Sequence, residues 1–354
     1  MSVDASPDAD ADLTRDVDLS GDGDIETANT MRERANESRL KLWLVLNANR
    51  LLVTGVLAVG VFTAFVLLGT FAFPSFVTNL NSKDTIGTMF STMLSVVATG
   101  STLVVTINQL VLSQENGPLG DQRERMSETM DFRKYSASLY EHPTPADPSA
   151  FLRALVNAAQ TRADALRDAV TGNEDLERDV EEFTDSLTEN ADEVRDELEG
   201  ATFGEFDVVF AALNFNYGWK IFQVERLEHE YADSIDEETS ALFEELRSSL
   251  AMFGPAREHI KTLYFEWALV DLSQLIVYAA VPALVVAGGM VAFFGSGGIH
   301  GGTLGVANVL WLVAAAFTVS LLPFLLFVSY IMRIATLAKR TLAIGPFILR
   351  GSQR

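Results

Sequence analysis

Residues 272–332 read LSQLIVYAAVPALVVAGGMVAFFGSGGIHGGTLGVANVLWLVAAAFTVSLLPFLLFVSYIM. These 61 positions, between Asp271 and Arg333, contain no Asp, Glu, Lys or Arg. The run Gly295-Ser-Gly-Gly-Ile-His-Gly-Gly302 interrupts them, and so many glycines in a row do not sustain a helix. The stretch therefore divides into two apolar segments, about 270–294 and 304–332. A bilayer core of about 30 Å needs about 20 apolar residues in a helix, and both segments exceed that. Two more uncharged runs lie upstream, giving expected spans at about 51–73 and 86–113. Four such runs are too long for the core helices of a water-soluble domain, so the chain is expected to be an all-α polytopic membrane protein.

Basic residues at the span ends set the expected orientation. Thirteen lie on one side: Arg39, Lys41, Arg50, Arg123, Arg125, Arg133, Lys134, Arg257, Lys261, Arg333, Lys339, Arg340 and Arg350. The other side has Lys83 alone. Both termini and the segment between the second and third spans are thus expected in the cytoplasm, with the protein in the plasma membrane. Residues 1–38 read as a disordered acidic tail and carry no cleavable leader. Residues 39–114 hold an interfacial helix over Arg39–Arg50, with Trp43 near the lipid surface, and the first two spans. Residues 115–265 form a cytoplasmic domain, 266–336 the last two spans, and 337–354 a basic tail.

The chain has 354 residues, a formal net charge of −22 and no cysteine. Its mean hydropathy is nevertheless +0.19, so charge and apolar residues are segregated along it. The absence of cysteine excludes a thiol enzyme, a disulfide framework and a cysteine-ligated metal. Between Glu115 and Thr262 there are 34 acidic and 14 basic residues. Arginine outnumbers lysine 20 to 6. Such a composition looks like that of halophilic archaea, where carboxylates keep surfaces hydrated and strong salt screens their repulsion. No basic stripe with interleaved aromatics is present, so nucleic acid is not an expected partner.

The domain at 115–265 reads as helix throughout. Asp147-Pro148 starts one helix and Thr171-Gly172-Asn173 stops it. Leu176, Val180, Phe183, Leu187, Ala191, Val194 and Leu198 then recur in steps of three and four, one apolar stripe on a long acidic helix. Two uses of this stripe stay open, a seam inside the domain or a coiled coil between subunits. A further helix is expected over Phe203–Ala232 and another over Glu237–Met252. Gly254-Pro255 then opens a helix running into the third span.

The second span holds the most informative pattern. Ser91, Ser95, Thr99, Thr102, Thr106, Gln109 and Ser113 fall within roughly 80° of arc at about 100° per residue. Leu94, Val97, Val104, Leu110 and Val111 are placed opposite. A hydroxyl and amide ladder is wasteful against lipid, so it is expected to face other helices or water. It packs helices closely, lines a path shared by several subunits, or faces a bound lipid or small molecule. The second use calls for a homo-oligomer. Glu115 and Asp121 would stand at the cytoplasmic mouth of such a path, and Glu266 and Asp271 at the inner end of span three. Asp271 shares a face with Gln274, Tyr278 and Pro282, and Arg333 is its expected partner.

Asp18-Leu-Ser-Gly-Asp-Gly-Asp-Ile-Glu-Thr-Ala-Asn29 resembles an EF-hand calcium loop. Its candidate ligands are Asp18, Ser20, Asp22 and Asp24, but Asn29 stands where the bidentate Glu belongs. No cofactor is expected, with calcium the one metal that this loop admits. His142, His229, His259 and His300 do not cluster in the sequence. No phosphate-binding loop, nucleophile elbow or kinase signature appears, and no enzymatic activity is assigned.

The segment Gln109-Leu-Val-Leu-Ser-Gln-Glu-Asn-Gly-Pro-Leu-Gly120 resembles uncharacterised haloarchaeal membrane proteins. The plan of two spans, a helical cytoplasmic domain and two spans is similar in topology to bestrophin-type channels. No bestrophin motif accompanies it, and acids at the mouth disfavour anions. The functional expectation is a channel-like or permeation-related protein. The alternative is a membrane-anchored scaffold or sensor whose domain binds other proteins in the cytoplasm.

Overall fold

The computed structural model describes residues 43–72, 83–115, 117–138, 143–202, 206–294, 299 and 301–340. The calcium-like loop with Asp18, Ser20, Asp22 and Asp24 lies outside them, as do most of both expected tails. Nine α-helices make up most of the described chain. They are α1 (Arg50–Leu67), α2 (Lys83–Glu115), α3 (Leu119–Ala137), α4 (Pro148–Ala169), α5 (Glu174–Leu198), α6 (Asp207–Asn214), α7 (Tyr217–Glu230), α8 (Glu237–Phe293) and α9 (Asn308–Arg340). Short π-helices, Trp43–Asn47 and Leu68–Ala72, flank α1. Four helices, α1, α2, α8 and α9, are long and apolar enough to cross a membrane.

In that four-helix bundle α8 packs against both α2 and α9, and α1 packs on α9. Apolar clusters tie the bundle together at three heights. Ile86 and Phe90 of α2 meet Ala287 and Met290 of α8 and Val309, Leu310 and Val313 of α9. Val97 meets Ala280 and Ala283, and Val104 meets Leu272, Ile276 and Leu326. A tight hairpin pairs Gly302–Thr303 with Val306–Ala307 before α9. Leu304 and Gly305 both take positive φ there, +56° and +76°, the geometry of a two-residue reversing turn. The hairpin delays α9 to Asn308, four residues later than the apolar pattern alone places it.

The lobe at 148–264 is a helical bundle built on the first half of α8. The entire stripe from Leu176 to Leu198 is buried, each member 3% exposed or less. It packs inward with α4, α6 and α7, so this seam is internal to the lobe. Asp147 caps α4 by accepting from the Ala150 amide at 2.9 Å, and Asn173 caps α5 the same way. Leu46, Ala268 and Leu337 belong to the same apolar core, which carries the packing from the lobe into the base of the long helices.

Three local expectations need correction. The helix expected over Phe203–Ala232 is two helices, broken at Phe215-Asn216. Asn190 Nδ2 donates to the Asn214 carbonyl at 3.0 Å, which takes an acceptor that a continuing helix would use. Phe215 is extended there and its ring lies tilted against that of Phe253, centroids 4.8 Å apart. Second, α8 runs 57 residues, about 85 Å of helix at 1.5 Å per residue, without a break at Gly254-Pro255 or Pro282. Third, Arg39–Arg50 is not one helix within its described part. The π-helix ends at Asn47, and Asn49 caps α1 by accepting from the Leu51 amide at 2.8 Å.

A buried polar chain crosses the lobe. Asn214 Nδ2 donates to both oxygens of Glu197, and Lys220 Nζ donates to Asn190 Oδ1 at 2.9 Å while lying 5.1 Å from the centre of the Phe215 ring. Burial pushes the Glu197 carboxyl above its ordinary range, Asn214 pulls it back, and Glu193 and Asp207 add to the rise.

Candidate functional site

The α2 helix is continuous because residues 83–115 contain no proline, and Gly117-Pro118 follows its end. Its buried row is Ile86, Phe90, Val97 and Val104, spaced four, seven and seven. At about 100° per residue the polar stripe is centred about 150° from that row. Ser91, Ser95, Thr99, Thr102, Thr106, Gln109 and Ser113 are all exposed. The ladder therefore points away from its own bundle and packs none of the described helices of the same chain. Val96, Leu103 and Leu110 form an exposed apolar row beside it, 54%, 59% and 61% open. Leu110 thus stands next to Gln109 rather than on the buried side where the sequence reading puts it.

Several hydroxyls in this face bond back to their own helix. Ser95 donates to Ser91 O at 3.3 Å, Thr102 to Ala98 O and Thr106 to Thr102 O at 3.0 Å, and Ser113 to Leu110 O at 2.8 Å. Each spends its proton on a carbonyl and keeps oxygen lone pairs turned outward. The face is uncharged, acceptor-rich and spaced over about 33 Å from Ser91 to Ser113. On the other side of α2, Ser101 Oγ and Asn108 Oδ1 are buried without a hydrogen-bond partner. The sequence reading missed these two. Their spacing of seven, in register with Val97 and Val104, was the available signal.

The acids expected at the mouth lie on separate helices, α2, α3 and α8. Asp121 is exposed in the first turn of α3, and the Glu115 side chain lies outside the description. Asp271 is half-buried and accepts from the Tyr330 phenol at 2.5 Å. Gln274, Tyr278 and Pro282 on the same face are exposed. The expected Asp271–Arg333 pair is not formed. Arg333 Nη2 donates instead to the Ala48 carbonyl at 2.7 Å, Nη1 to the Tyr264 hydroxyl at 3.3 Å, and the guanidinium lies 5.1 Å from the Phe206 ring centre. Among the described residues no group of three or more His, Asp or Glu could hold a metal ion.

Beside Arg333 sits a second guanidinium that composition counts only as a surface charge. Arg50 is 5% exposed. It donates to the carbonyls of Leu44 at 2.9 Å, Ala48 at 2.5 and 3.0 Å, and Ser329 at 3.1 Å. The knot joins the π-helix, α1, α9, α8 and the start of α6 at the lobe end of the bundle. It is a structural clasp, in which the Arg50 donors are spent on backbone and Arg333 adds the Tyr264 hydroxyl.

A family model described as a family of unknown function, DUF7972, matches residues 16–354. The chain belongs to that family. No curated protein and no solved structure matches it. The DUF7972 match extends over all four apolar helices and the lobe, so clasp, ladder and lobe lie within one family unit.

Proposed function

We propose that this DUF7972 member is a multi-pass protein of the plasma membrane, of halophilic origin, with both termini and the lobe in the cytoplasm. Several copies assemble so that the polar faces of α2 turn toward one another around a shared, water-filled path. Permeation of a small solute or cation through that path is the activity. The observation that carries this reading is the outward ladder: seven hydroxyl and amide residues on the outside of the bundle, opposite the row that α2 buries. Against hydrocarbon such a face leaves acceptors unmet. Between copies it is wetted or hydrogen-bonded. Asp121 and Glu115 follow at the cytoplasmic end and favour cations there. The excess of basic residues at the lobe ends of the spans supports the orientation.

Purified full-length chain in liposomes tests this. Thr99→Leu and Thr102→Leu are expected to reduce cation flux while the oligomer count by native mass spectrometry is unchanged. A monomer, or flux indifferent to both substitutions, removes the reading. A second reading, a scaffold whose lobe holds another protein, rests on an open cleft of about 940 Å³ at the α3–α4 junction. Ser138, Arg153, Asn157, Thr161 and Glu245 line it. That reading expects the cytoplasmic partner to be lost on Arg153→Glu with flux absent throughout.

A further inference from the structure

The α3 helix is packed only at its C-terminal end among the described residues. Positions 119–131 are exposed without a break. The helix joins the lobe through its last turn and a half, where Phe132 meets Phe151 at 6.1 Å and Ser136 is buried. Thirteen helical residues standing alone in water are marginal, because a short helix repays its nucleation only when a face is packed. Leu119, Met126 and Met130 share one side of the helix and are 82%, 62% and 42% open. Among the described residues nothing covers this side.

We propose that α3 is an inter-subunit collar, its Leu119–Met126–Met130 side seated on the α3 of a second copy, at the cytoplasmic end of the α2 path. This rests on the oligomer proposed above. Two features select a second copy over other occupants. The first is position. Pro118 caps α3, and α2 ends at Glu115, so copies that bring their α2 faces together deliver their α3 helices at one height and in parallel. The second is charge. α3 carries four acidic and four basic side chains, whereas α5 carries twelve acidic and two basic. In a chain of net charge −22, α3 is a segment that meets its own copy without net repulsion. A lipid surface fits poorly, since a membrane-lying helix needs a broad apolar face with basic flanks. Three apolar side chains on a helix that carries as many acids as bases do not make one.

The chain has no cysteine, so single cysteines report cleanly. Full-length Met126→Cys in membranes is expected to form a disulfide-linked dimer on mild oxidation several-fold faster than Glu128→Cys, which lies on the far side of α3. Both sites are exposed, so neither substitution disturbs folding. Met126→Asp with Met130→Asp is expected to shift the oligomer toward smaller species. Equal crosslinking at 126 and 128, or an unchanged oligomer in the double variant, overturns the collar. So does a fluorophore at 126 that is quenched by lipid-borne quencher. Thr99→Cys separates this from the parent reading: crosslinking at 99 without 126 sinks the collar alone, and failure at both sinks the oligomer.

Discussion

Arg50 and Arg333 place their guanidinium groups on one acceptor, the carbonyl oxygen of Ala48. Two cations converge there with backbone as their acceptor, at the end of a short π-helix whose last carbonyls are free to receive them. Arg50 also reaches Leu44 and Ser329, so one side chain ties three chain segments together. Its fork does this because five N–H donors leave a rigid plane, which an ammonium does not reproduce. Arg50→Met is expected to destabilise the protein by about 3 kcal/mol, since it strands several buried acceptors. Arg50→Lys should lose about half as much. Thermal unfolding in detergent micelles measures both, and an unchanged midpoint for Arg50→Met would remove the clasp from the account.

Asp271 and Tyr330 make the second contact between α8 and α9 at this level. Tyr330→Phe leaves the carboxylate without its donor and is expected to cost about 2 kcal/mol. Asp271→Asn is expected to cost less, because an amide oxygen still accepts from the phenol. A double-mutant cycle should show the two substitutions to be strongly non-additive. Exchanging Asp271 and Arg333 should rescue nothing, since Arg333 is engaged with Ala48 and Tyr264. Recovery by that exchange would show the two charges to be partners after all.

At Gly254 the backbone of α8 is closely packed against Tyr217. A Cβ there would lie 2.9 to 3.0 Å from the Tyr217 ring and hydroxyl. Tyr217 is itself held between Phe253, at 5.9 Å, and the Arg257 guanidinium, at 4.9 Å. Gly254→Ala is therefore expected to destabilise by about 1–3 kcal/mol. Tyr217→Leu in the same chain should recover part of the loss. Denaturant melts of the two variants and their combination decide it.

That glycine also shows how far the sequence could be read. Gly-Pro is a strong punctuation signal, and locally the expectation of a new helix at 254 was sound. It failed because this glycine serves close approach to Tyr217, which lies far away in sequence, and because packing on α4 and α7 holds α8 together across Pro255. The long apolar runs and the buried stripe of α5 were legible, since composition and period state them directly. The ladder on α2 was legible as a row, but not its direction. Direction depends on which other side of α2 finds Leu272, Ala283 and Val309. The clasp was invisible, because Arg50 and Arg333 are 283 positions apart and look like ordinary span-end charges.

Glu197 makes one element of the lobe sensitive to pH. Its carboxyl is raised in the folded state, chiefly by burial, so the folded chain holds that proton over a range where the unfolded chain has released it. The stability tied to Glu197 is thus full at low pH and lost as pH rises through the folded value. Glu197→Gln keeps an acceptor for Asn214 and removes the charge. The variant is expected to melt higher than the parent at about pH 7.5 and to converge with it by about pH 4. A gap that widens toward acid would have the wrong sign for this account.

The central claim is that the polar face of α2 meets water in the assembled protein. Single cysteines along α2 of the full-length chain, treated in membranes with a water-borne thiol reagent, test it most directly. Positions 99, 102 and 106 should be modified readily while 96, 103 and 110, the neighbouring apolar row, are not. Modification of the apolar row with the polar face left untouched, or no modification at any of the six, would contradict it.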